Sequence, residues 1–247
     1  MAIIRVVMPK QMLLRKSLVA LSLALCSFSA IGCSDISFEV KGPSVTYTPS
    51  AAAIEENALK KVNAGDFEGA INDFDQIIEM LPEYAPSYYR RGAAKAELDL
   101  LQEGIEDVRK AISLDSDDHI AYLNYSVLLL RASEGSQEIL GEALQSANKA
   151  IELNPTKPSS YYNRGLIKYQ LKDLNGAMSD YNKTLELDRN DSEALRHRGM
   201  LFSELGIINS ACTDLKRASS LGDAKATSLL RVNSETCDYS AESWKNL

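Results

Sequence analysis

Two histidines, two distal cysteines and two acidic runs are the groups in this chain with the most chemistry to offer. His119 and His197 stand 78 positions apart, a spacing that builds no local metal site, and we expect neither a metal nor another cofactor. Cys212 and Cys237 have no histidine close by in sequence that would make either a nucleophile. The run of Asp115, Ser116, Asp117 and Asp118 and that of Asp188, Arg189, Asn190 and Asp191 superficially resemble calcium loops. Both lack the glycine that such a loop needs at its sixth position. Asp and Ser at these places are better suited to capping the helix that follows. The chain has no Gly-x-Ser-x-Gly, no phosphate-binding glycine loop and no His-Glu-x-x-His. No catalytic residue is assigned, and the protein is not expected to be an enzyme.

The elements that would position any site repeat themselves. Tyr88, Tyr89, Arg90, Arg91 and Gly92 are echoed by Tyr161, Tyr162, Asn163, Arg164 and Gly165. Around them a pattern of small and large residues recurs with a period of about 34, the length of a helix–turn–helix unit that buries its apolar face only against neighbours. The units run about 51–84, 85–118, 119–157, 158–191 and 192–225. Their small positions include Ala58, Gly92, Ser126, Gly165 and Gly199 in the first helices, and Ala70, Gly104, Ala143, Ala177 and Ala211 in the second. In the first unit Asn57 and Lys61 stand where apolar residues are expected. The third unit is five residues longer, with the excess around 133–141, which should lengthen its inner turn. A closing helix is expected over 224–232, within an array spanning 51–237, and a mobile tail over 238–247.

These offsets resemble the tetratricopeptide repeat family. The resemblance implies an all-α fold: a right-handed superhelical solenoid of about five helix pairs plus a C-terminal closing helix. It also implies a concave groove lined by the first helix of each pair. The groove positions that would contact a partner are Tyr89, Arg90, Asn124, Arg131, Tyr162, Asn163, Tyr169, Arg196 and His197. Asn124 and Asn163 share the sixth repeat position, where some peptide-binding members place asparagine. A carboxamide both donates and accepts, so it can satisfy a peptide unit without reading its side chain. Tyrosines beside it supply rigid contact area with a hydroxyl. The alternative is that polar residues simply occupy a solvated face. The lysine and arginine pattern with which some members grip acidic C-terminal tails is missing: Tyr89, Ala93, Ser159 and Asn163 stand in its places around Asn124.

The N-terminal segment reads as an export signal. Arg5, Lys10, Arg15 and Lys16 precede an apolar stretch over 18–31, too short for a confident spanning helix. Ala30, Ile31, Gly32 and Cys33 resemble the lipobox of bacterial lipoproteins. The resemblance implies cleavage after residue 32, lipidation of Cys33, and an extended tether over 33–50. Such a chain would be anchored by lipid in a bacterial cell envelope, on the periplasmic face of the outer membrane in a two-membrane cell. In an oxidising compartment Cys212 and Cys237 can pair as a disulfide. Cleavage would leave 23 basic against 34 acidic side chains, so the acidic product should repel nucleic acid. The expected function is a non-catalytic adaptor or assembly factor that takes an extended peptide or protein segment into the groove. The competing reading is a structural subunit that self-associates as a homo-oligomer or docks by its convex face.

Overall fold

The computed structural model describes residues 49–232 and Cys237; the expected signal, the expected lipidation at Cys33 and the expected tail over 238–247 lie outside them. The described residues form helices α1 Pro49–Ala64, α2 Phe67–Met80, α3 Ala85–Glu97, α4 Leu101–Leu114, α5 His119–Ala132 and α6 Gln137–Leu153. There follow α7 Pro158–Gln170, α8 Leu174–Leu187, α9 Ser192–Glu204, α10 Ile208–Ser220 and α11 Ala224–Val232. The ten longer helices pair consecutively, and each pair packs on the next, as expected of an all-helical superhelical repeat. No described helix is long and apolar enough to cross a membrane.

Local chemistry sets the helix ends. Asp66, Asp118, Asp173 and Asp191 accept from the backbone N–H of Gly69, Ile120, Gly176 and Ala194, capping α2, α5, α8 and α9. Both acidic runs therefore end in a helix cap. The turn inside each pair requires a left-handed residue: Gly65 and Gly206 supply it without strain, whereas Asp99 and Lys172 adopt it despite their side chains.

The insertion in the third unit does not mainly lengthen a loop. Its turn occupies only 133–136, while α6 runs for 17 residues against 14 in α4 and in α8. Leu140 is fully buried and Ile139 packs on the same cluster, so the added length of helix has apolar surface to bury.

Small residues let paired helices cross closely. A Cβ on Gly92 would lie 2.6 Å from the Gly104 carbonyl oxygen, and one on Gly104 equally close to that of Gly92. Larger residues fill the space between pairs: Tyr88, Val108, Tyr125, Leu128 and Ile167 belong to one cluster that crosses repeat boundaries. Tyr88 and Tyr161 donate to the carbonyls of Pro82 and Pro155, tying each pair to the connection before it.

An arginine clamp recurs along the array. Arg91, Arg164 and Arg198 each fork onto the aspartate sixteen residues later: Asp107, Asp180 or Asp214. The remaining guanidinium nitrogen reaches back to Asp75, Asn148 or Asn182 in the preceding pair. Bidentate forks of this kind add geometric specificity as well as energy. The third unit uses Tyr125 instead, whose hydroxyl donates to Glu142 and accepts from Arg109. Asn57 and Lys61 have a use as well, since both bind Asp73 on α2 at 2.7 and 2.8 Å. They take the places of the clamp rather than of core residues.

The C-terminal end is closed by α11. Ala226 is buried among Leu195, Leu215 and Ala218, and Leu229 and Leu230 pack on the same cluster. Asp223 caps the helix through the Ala226 N–H. Cys212 and Cys237 form a disulfide, and the Cys237 carbonyl accepts from Lys216.

Candidate functional site

The first helices lie side by side, with α3 touching α5 and α5 touching α7. Their shared surface is laced by bonds between residues 34 or 35 positions apart. Arg90 pairs with Glu55, and Tyr84 donates to the same carboxylate. Arg131 bridges to Glu97 at 2.6 Å and donates to the Ala96 carbonyl. Tyr169 donates to Glu204 at 2.8 Å, and Lys172 lies over its ring. Arg90 and Arg131 are therefore neutralised by carboxylates already, whereas Glu204 is held by a neutral hydroxyl and keeps its charge.

Asn124 on α5 and Asn163 on α7 stand between these pairs. Both are half-buried, and neither side chain is hydrogen-bonded to another described residue. Their helices are in contact, and the Arg164 clamp ties the one carrying Asn163 to α6 and α8, so the two carboxamides are presented from a packed support. They can donate to and accept from an extended backbone at two points along the groove.

Beyond them is an aromatic cluster. His197 meets the edge of Tyr162 at 5.7 Å, and Tyr181 is 6.1 Å from His197 and 6.3 Å from Tyr162. Tyr181 is only 1% exposed, and its hydroxyl has no hydrogen-bond partner among the described residues. Burial pushes both the Tyr162 and Tyr181 hydroxyls well above the ordinary tyrosine range, so both stay neutral donors. The His197 ring is pulled down to about 4, first by burial and then by the adjacent Arg196 cation. Arg196 lies 2.8 Å from His197 Nε2, and a guanidinium has no acceptor. Nε2 must therefore present its lone pair, which assigns the proton to Nδ1. The other side of Arg196 binds Asp223 at 2.8 Å, linking the groove to the closing helix. Burial alone would raise the Asp223 carboxyl, but the Ala226 amide and Arg196 hold it below its ordinary value.

Two of the expected groove contacts need correction. Tyr89 is 2% exposed and sits in the main core cluster, where it fills space between helices. Arg196 is 7% exposed and is held by Asp223 and His197. Neither presents a free surface to a bound segment. Arg90, Asn124, Arg131, Tyr162, Asn163, Tyr169 and His197 remain partly or fully exposed on the first helices. Glu55, Tyr181 and Asp223 were not among the expected site residues. Only the period of 34, which pairs 97 with 131 and carries 55 to within one position of 90, gave a signal for the bridges.

Comparison with known proteins follows the same lines. Residues 85–118 and 158–191 each match a tetratricopeptide repeat model. A 106-residue stretch is 33% identical to the Protein SGT1 homolog of Oryza sativa subsp. japonica, covering 43% of this chain and 26% of that protein. Another of 99 residues is 30% identical to the Photosystem I assembly protein Ycf3 of Rippkaea orientalis, covering 38% of this chain and 56% of the relative. The chain thus spans about a quarter to about half of these relatives' lengths. Among solved structures, Pseudomonas aeruginosa pilF superposes with a TM-score of 0.65 at 21% identity, over 80% of this chain and 91% of that one. YrrB, a repeat protein described as having an unusual peptide-binding site, gives 0.53 at 18% identity, over 73% and 91% of the two chains. At these identities the structural likeness speaks for the fold. Helix pairs with matching clamps at a fixed offset, together with two matched repeats, make this chain a tetratricopeptide repeat protein, a protein-interaction module.

Proposed function

We propose that the protein is a non-catalytic, membrane-tethered adaptor or assembly factor that holds an extended, largely uncharged peptide or protein segment in its groove. The observation that carries this reading is the contrast within one face. Its arginines are already paired with carboxylates, whereas Asn124 and Asn163 are half-buried with no hydrogen-bond partner among the described residues. A segment bearing strong charge would have to break those pairs; a backbone has only to meet the two carboxamides. The peptide-binding site ascribed to YrrB and the assembly role in Ycf3's name lend the reading support by analogy. The tether rests on the lipobox-like residues ending in Cys33, and export to an oxidising envelope compartment is supported by the Cys212–Cys237 disulfide.

The test compares crosslinked affinity capture from native membranes by wild type and by Asn124→Ala/Asn163→Ala. The double variant should keep its helical circular dichroism and lose the partner. Equal capture by a folded double variant would overturn the groove assignment. Labelling with an alkyne fatty acid, present in wild type and lost in Cys33→Ser, tests the tether separately. The competing reading, docking or self-association outside the groove, draws support from Leu205 and Ile207, both exposed at the turn before α10, although Ile208 is half-buried. A concentration-dependent mass in sedimentation that Ile207→Asp abolishes would favour it.

A further inference from the structure

A lysine reaches the clamp aspartate in three of the pairs, and in two of them it is a second cation beside the arginine. Lys61 lies 2.8 Å from Asp73 Oδ2, Lys95 2.8 Å from Asp107 Oδ2, and Lys168 2.9 Å from Asp180 Oδ2. At Asp107 and Asp180 the same oxygen also accepts Nε of the clamp arginine, at 2.8 and 2.9 Å. One carboxylate oxygen in this setting therefore accepts a guanidinium and an ammonium together, within the several acceptor sites a carboxylate offers.

The last pair keeps the carboxylate and the arginine but lacks the lysine. Arg198 forks onto Asp214 at 2.6 and 2.8 Å, and 34 positions after Lys168 stands Phe202. Beside Phe202 the surface dips into a shallow, open depression of about 310 Å³ lined by Arg198, Phe202, Asn209, Ser210, Thr213 and Asp214. Asp214 is 6% exposed. We propose that this depression is a docking seat for a primary ammonium group, the lysine side chain of a partner polypeptide, which takes the place that Lys95 and Lys168 fill in their own pairs.

The chemistry of the lining fits that occupant. An ammonium has three donors, and Asp214 Oδ2, the Asn209 carboxamide oxygen and a hydroxyl of Ser210 or Thr213 can accept them. The Phe202 ring offers a face to a cation, as its stacking under Arg198 at 5.7 Å already illustrates. The electrostatics of the filled seat occur elsewhere in the same chain. Around Asp180, one arginine and one lysine share one carboxylate, with neutral Asn148 as the arginine's other partner. Around Asp214, Arg198 and an incoming ammonium would share one carboxylate, with neutral Asn182 in the same role. An anion finds only Arg198 there, and that side chain is already neutralised.

The seat does not depend on the groove reading. At about 100° per residue, Arg198 and Phe202 lie on the side of α9 turned away from His197, Met200 and Glu204. A segment in the groove and a lysine at Asp214 would engage opposite sides of one helix.

The experiment is a titration of the ¹⁵N-labelled full chain with N-acetyl-lysine N-methylamide, read at the backbone amides of Ser210, Thr213 and Asp214. The norleucine analogue, which has the same stem without the charge, is the control. Saturable shifts at these amides with the lysine compound alone are expected. Phe202→Lys should abolish them, because a tethered lysine then fills the seat as at Asp107 and Asp180, and that variant should fold because the arrangement already occurs in the chain. Absence of saturable shifts, an equal response to norleucine, or a full response in folded Phe202→Lys would each overturn the proposal.

Discussion

Acid should loosen the C-terminal half of this array through a single ring, His197. In the folded chain Nε2 accepts from Arg196 at 2.8 Å, and the ring is enclosed by Tyr162 and Tyr181. Protonation would turn that accepted bond into a contact between two cations, in a place poor in water. The ring accordingly sits at about 4 when folded, against 6.5 for the free side chain. Because the folded value is the lower one, the unfolded chain takes up the proton first as pH falls. The contribution is complete above pH 6.5, declines between 6.5 and about 4, and is gone below that. The gap between the two values corresponds to about 3 kcal/mol. Urea unfolding of wild type and His197→Gln across pH 7 to 4 measures it. Glutamine can still accept from Arg196 but does not titrate, and His119 is common to both proteins and cancels. The wild type should lose about 3 kcal/mol more than the variant over this range. Ring-proton shifts of His197 should titrate near 4. Parallel stability profiles together with titration near 6.5 would refute the reasoning.

Arg164→Leu should cost about 3 kcal/mol in denaturant unfolding, since it strips the fork from the buried Asp180 and leaves only Lys168, whereas Arg131→Ala at an exposed pair should cost under about 1 kcal/mol; equal costs would count against the clamp. Reduction of the Cys212–Cys237 bridge, which closes a loop of 25 residues, should lower stability by about 3 kcal/mol and expose α11 amides to hydrogen exchange; unchanged protection would show that packing alone holds that helix. Ile207 occupies the cap position that Asp66 and Asp173 fill in other pairs, is 46% exposed and makes no capping bond, so Ile207→Asp should stabilise the fold by about 1 kcal/mol in a urea midpoint assay; no gain would count against the missing cap.

Much of the fold was legible because a repeat must obey the same steric rules in every copy. Gly92 and Gly104 face each other at a crossing that admits no Cβ, and the small residues recurring at those offsets are the sequence trace of that constraint. The aspartate caps are legible for a similar reason, because a cap is a bond within a few residues. The site was less legible. Tyr89 and Tyr162 occupy the same repeat position with the same residue type, yet the first is 2% exposed in the core and the second is partly exposed against His197. Asn57 and Lys61 read as failed core positions until Asp73 was found facing both.

The sequence by itself determined the helix pairs, their period, the caps and the candidate groove residues, because each of these follows from interactions within one repeat length. Only the tertiary structure decided which of those residues are free. Arg196 is withdrawn by Asp223, Arg131 by Glu97 and Arg90 by Glu55, while Asn124 and Asn163 are left open. Phe202 likewise reads as an ordinary substitution until Asp214 is seen beside it without its lysine. Whether a polar group is available depends on the neighbours that reach it from other helices, and those distances exist only once the repeats are stacked.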